Sequence, residues 1–130
     1  MNAAQILAGT GIDLPRVSEM IDPVRLGEVQ VRPAPRLLRR VWGKGIQAMT
    51  VRRTIYVDPL VLGGPHESTG PLILHELIHA RQWRRLGSFR FLIRYVFEYL
   101  RGRFSGHGHR DAYLGISLEV EARDEASRLA

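Results

Sequence analysis

With 130 residues and no cysteine, the chain has the length of one domain and excludes a disulfide framework, so any bound metal must draw on His and carboxylate side chains. Lys and Arg number 19 against 13 Asp and Glu, for a net charge of +6, and nearly all of the positive charge is arginine because Lys44 is the only lysine. Residues 1–12 lack a basic stretch followed by an apolar one, and no run reaches the roughly 18 apolar residues of a membrane-spanning helix, so the expectation is a cytoplasmic protein, soluble or peripherally attached.

Residues 1–35 are rich in turn formers, among them Gly9, Gly11, Pro15, Pro23 and Pro33. They read as a lead-in with a short helix near residues 16–21, wrapped on the rest of the chain. The expected organisation is a single domain, 1–130, with residues 1–40 packed on a core of residues 41–130. Residues 37–42 suit another helical turn. Residues 46–50 and 54–57 are β-prone, and the intervening Val51, Arg52 and Arg53 predict a hairpin whose second strand ends at Asp58 and Pro59. That second strand, 54–57, is the expected sheet edge to which an extended peptide could add. A loop with Gly63, Gly64 and Pro65 follows.

The next helix carries Ser68, Thr69 and Gly70 as cap candidates and Pro71 at a position suited to the first helical turn. Its apolar residues, Leu72 to Leu74, Leu77, Ile78 and Ala80, occupy more than one face, as a helix buried through a domain centre requires. Gly87 offers a stop. Residues 88–101 form a second helix, too apolar for a simple amphipathic surface helix: a core or dimer-interface helix, or one whose residues 89–103 lie in an anionic lipid interface. Residues 102–108 read as a glycine-punctuated loop, and a last helix begins near Ile116 or Ser117 and runs to Leu129. The order predicts an α+β fold, mostly helical, with a β-hairpin preceding an active-site helix.

The chemistry concentrates at His75, Glu76, Leu77, Ile78 and His79, an H-E-x-x-H pattern. Positions i and i+4 share one helix face, so His75 and His79 can direct two imidazoles at one ion, and Glu76 can reach a metal-bound water as a general base. A catalytic zinc keeps three protein ligands and one open position. The third ligand must come from further along, and His107, His109, Asp111, Glu119 and Glu121 are the candidates.

His75–His79 followed by Glu119, Val120, Glu121 and Ala122 resembles the gluzincin pattern of H-E-x-x-H plus a downstream Glu. Together with the arginine-rich end of the motif helix at residues 79–85, the aromatic stretch 91–103 and residues 112–122, roughly residues 41–125 are similar to small bacterial proteins of minimal gluzincin type. The resemblance implies a zincin-like minimal metallopeptidase fold, Zn2+ held by His75, His79 and Glu119, and hydrolysis of peptide bonds in a peptide or protein substrate with Glu76 as base. Arg123 stands where the family pattern has an Asp that supports a histidine ligand, and Asp124 or Asp58 could substitute. Helix geometry separately parts the two glutamates, because Glu119 and Glu121 are about 200° apart. Leu118, Ala122 and Ala126 mark the Glu119 side as buried. Tyr113 or His109 could supply an extra donor to the transition state.

Other readings have distinct signatures. A catalytically weak or inactive zinc-binding or protein-interaction module would share the ligands, and the second helix could serve a homodimer. Eight arginines and the single acid Glu98 between Arg81 and Arg110 raise nucleic acid, but an aromatic helix with snorkelling arginines explains the same residues and argues against groove binding.

Overall fold

A computed structural model describes residues 1–42, 46–64 and 66–129, without the side chains of residues 66–68. Pro65 and the side chain of the Ser68 cap candidate therefore lie outside the described structure. Helices α1 (Ala3–Leu7), α2 (Leu14–Met20), α3 (Arg36–Trp42), α4 (Pro59–Leu62), α5 (His66–Leu86), α6 (Ser88–Phe104), α7 (His109–Leu114) and α8 (Ser117–Leu129) surround three strands, β1 (Gln30–Pro33), β2 (Ala48–Val51) and β3 (Thr54–Val57). The fold is α+β and about two-thirds helical.

The hairpin turns at Arg52, which takes a positive φ of 58°, as tight hairpin turns demand. The lead-in supplies an unforeseen strand, β1, which pairs in parallel with β3, so the order is β1-β3-β2. Thr54–Val57 is therefore the central strand and not the edge; β2 is an edge of the described sheet. The lead-in also gives Ile6, Leu7, Val17, Ile21 and Val29 to the same apolar cluster as Ile55, Ile73, Leu77 and Ile78.

Helix α5 crosses this core and starts earlier than the sequence suggests, at His66, with Pro71 inside it. Loss of one N–H so near the helix start costs a single hydrogen bond, and packing offsets it. Gly70 lies so close to Thr10 and Ile12 that a Cβ there would meet Thr10 Cγ2 at 3.2 Å and Ile12 Cδ1 at 3.3 Å. Gly87, at φ 81°, ends α5 and begins α6. Helix α6 runs past the expected loop start to Phe104, because Gly102 is where α7 packs: a Cβ on it would fall 3.1 Å from both Cα and Cβ of Ala112. Residues 105–108 of the expected loop stay non-helical, and an unforeseen short helix, α7, follows from His109. Among the described residues, no helix is long and apolar enough to cross a membrane.

Candidate metal centre

His75 and His79 stand one turn apart on α5, and Glu119 faces them from the first turn of α8, on the side that also buries Leu118, Ala122 and Ala126. Their ligand atoms lie within 4.8 Å of one another. His75 Nε2 is 3.0 Å from Glu119 Oε2, and His79 Nε2 is 3.0 Å from Glu119 Oε1. The carboxylate is thus divided between the two imidazoles, one oxygen to each.

The second of these contacts is close without being a hydrogen bond: His79 Nε2 is buried and has no aligned partner. A buried ring nitrogen left this way carries a desolvation cost that a cation among the three donors would remove. Two imidazoles and a carboxylate are the donor set of a catalytic zinc site, so the residues fit such an ion.

Supporting contacts fix these groups. Gln82 donates from Nε2 to the Leu118 carbonyl at 2.9 Å and to Glu121 Oε1 at 2.9 Å, which leaves its amide oxygen as an acceptor. That oxygen is 2.8 Å from His79 Nδ1, so Nδ1 donates and Nε2 is the nitrogen turned to the site. Arg123, by contrast, donates to the Leu114 carbonyl at 2.7 Å and takes no part. Asp58 caps α4, and Asp124 is exposed. The task of supporting the histidine thus falls to Gln82, on the motif helix itself. Tyr95 on α6 donates to Glu119 Oε1 at 2.9 Å.

Electrostatics follow from this crowding. Burial disfavours charge on His79, but the close, charged Glu119 carboxylate, with Glu76 nearby and Gln82 accepting from Nδ1, outweighs it and raises its pKa from 6.5 to about 9 without metal. Burial likewise opposes ionisation of Glu119, yet His75 and His79 hold it well below the usual carboxylate range. Burial and the Glu119 charge push the Tyr95 and Tyr113 phenols up, so both stay protonated donors.

Glu76 is buried beside this group, and Thr50 on β2 donates to its Oε2 at 2.6 Å. Glu76, His79, Glu119, Tyr95 and Tyr113 all line one cavity of about 270 Å³, walled otherwise by Thr50 and apolar residues including Ile46, Val51 and Leu92. Of the other sequence candidates, Tyr113 reaches this cavity. His109 instead bonds through Nδ1 to the Tyr99 hydroxyl at 2.7 Å on the exposed surface, and His107 and Asp111 are exposed. Glu121 pairs with Arg81 at 3.1 Å. Thr50, Gln82 and Tyr95 were not singled out from the sequence; of these only Gln82, three residues beyond His79 on one helix face, sat at a spacing that could have signalled its role. No family model, curated protein or solved structure matches this chain.

Proposed function

We propose that the chain is a zinc-dependent peptidase of minimal gluzincin type with a zincin-like core, hydrolysing peptide bonds. The observation that carries this reading is the meeting of His75, His79 and Glu119 beside the buried Glu76 at the wall of an apolar cavity. Zn2+ held by those three side chains would polarise a substrate carbonyl and acidify a water. Glu76, held at Oε2 by Thr50, takes the proton from the attacking water and delivers it to the leaving amine. Tyr113 lines the cavity and stays protonated, which supports a role as donor to the developing oxyanion.

An extended substrate fits β2. The Asp58 N–H donates to the Gln47 carbonyl at 2.9 Å, which sets the phase of the antiparallel ladder and turns the main-chain groups of Ala48 and Thr50 to the free edge. Trp83 Nε1 already donates to the Thr50 carbonyl at 3.1 Å, so that among the described residues the Thr50 N–H and both groups of Ala48 are left for a peptide. The apolar walls accept an apolar side chain.

The test is zinc content of the purified protein followed by cleavage of denatured casein or a peptide library, with Glu76→Gln beside it. The expected result is stoichiometric zinc in both, and a loss of about 10²–10⁴ in kcat for the variant. Unimpaired hydrolysis by Glu76→Gln would remove its role as base. Zinc without cleavage would instead support the inactive-module reading.

A further inference from the structure

Helix α6 buries one face and leaves the other bare. Phe91 is 5% exposed and stacks on Trp83 at 4.3 Å between ring centroids, and Tyr95 turns inward to Glu119. Opposite them, Phe89, Leu92, Ile93, Val96, Phe97 and Leu100 are all exposed, Phe89 to 77% and Phe97 to 62%, and Phe104 continues the row at 85%. On a helical wheel these seven residues fill a continuous arc of roughly 140°, about 22 Å long. A stripe of this size on water is a signature of an interaction surface.

Charge decides what covers it. Arg90 and Arg101 border the stripe on one side, Arg94 lies beyond them and pairs with Glu98 at 3.4 Å, and Arg103 falls within the arc, between Leu92 and Val96 on the wheel; all four are exposed. The one acid of the helix, Glu98, points away from the stripe and is engaged with Ser117 N at 3.3 Å and Ser117 Oγ at 2.8 Å. A symmetric contact with a second copy would set Arg90, Arg101 and Arg103 against arginines, and the helix's one carboxylate, Glu98, is already engaged with Arg94 and Ser117. Nucleic acid would answer the arginines and leave the phenylalanines wet. An anionic bilayer answers both, taking the apolar arc below its headgroups and pairing the arginines with lipid phosphates.

We infer that the outward face of α6 docks on anionic membrane surfaces, with the helix lying in the plane of the interface. Leu92 belongs both to the stripe and to the wall of the cavity at the metal centre, so docking sets that cavity next to the lipid. The inference stands apart from the peptidase reading, since vesicle binding requires neither metal nor hydrolysis.

The experiment is flotation of the full chain with phosphatidylcholine vesicles and with vesicles containing about one-third phosphatidylglycerol, at low and high salt, with zinc or with chelator. Anionic vesicles are expected to carry at least about tenfold more protein than neutral ones, with high salt reversing the difference. A Phe89→Ser/Phe97→Ser variant and an Arg101→Gln/Arg103→Gln variant should each lose most of the binding while keeping the circular dichroism of the parent. Failure of the unaltered chain to float with anionic vesicles overturns the inference, whatever the variants do. So does a concentration-dependent dimer that the serine substitutions dissociate in the absence of any vesicle binding, which assigns the face to a second copy.

Discussion

The α5–α8 contact and the outer face of α6 depart from the ordinary distribution of polarity in opposite directions. Between α5 and α8 the protein buries polar and charged side chains: Glu76, His79, Arg81, Gln82 and Glu119 are all at most 5% exposed. On α6 it exposes apolar surface. Folding favours neither arrangement, because buried charge costs desolvation and exposed phenylalanine forgoes burial. In the first region the polar groups are wired together, with Gln82 joining His79 to α8 and Arg81 meeting both Glu121 and Glu125. Among the described residues the second shows no such internal compensation, and the inferred membrane docking would supply it.

The largest break in this comparison comes from the buried side. Glu119→Ala removes the one carboxylate that faces both imidazoles, and zinc affinity measured by competition with a chelating dye should fall by more than the hundredfold upper range for loss of a supporting contact. Stripping the metal exposes the same dependence through pH. The folded His79 pKa, about 9, lies above its ordinary 6.5, so its contribution to the stability of the metal-free protein is complete below pH 6.5 and disappears as pH rises through about 9. Glu119, shifted downward from 4.5, contributes above pH 4.5 and loses its contribution as pH falls below that. The metal-free protein should therefore melt at a lower temperature at pH 10 than at pH 6, while the zinc-loaded protein holds its Tm. Zinc binding at pH 7 should release a proton, readable by calorimetry in two buffers of different ionisation enthalpy.

Gln82→Leu is a finer cut through the same network. It frees His79 Nδ1 and the Leu118 carbonyl at once, so zinc affinity should drop about 10–100-fold and stability by about 1–3 kcal/mol. Arg123→Asp, which would place an Asp where the gluzincin pattern carries one, should leave zinc affinity unchanged, because Arg123 is directed to the Leu114 carbonyl. A gain in affinity from Arg123→Asp would show that Gln82 is not the histidine's support.

What the sequence disclosed about these regions depended on range. The H-E-x-x-H spacing is a local periodicity that pairs His75 with His79; Glu119 joins them through the resemblance to the gluzincin pattern, and the apolar side of α8 favours it over Glu121. The sheet edge was misread because β1 joins β3 across more than twenty residues, and Gln30–Pro33, short and ending in proline, has little strand signal of its own. Thr50 and Tyr95 act on Glu76 and Glu119 from separate elements, a relation that only packing creates. For α6, the apolar composition was plain but its division was not: the same residue types, phenylalanine and leucine, stand on both faces, and only the neighbours α5, α7 and α8 determine which are covered.

That division sets the smallest expected effect and the sharpest contrast. Phe91 and Phe97 are six residues apart on one helix and chemically identical, so their difference is burial alone. Phe91→Ala should cost about 3–5 kcal/mol, since it opens a cavity between Trp83 and Tyr95. Phe97→Ser removes a ring that touches mainly water, and chemical denaturation should place the change within about 0.5 kcal/mol of zero. A loss of about 2 kcal/mol or more at Phe97 would mean that the outer face is covered within the protein itself or by a second copy, and the opposition between the two regions would collapse into a single packed core.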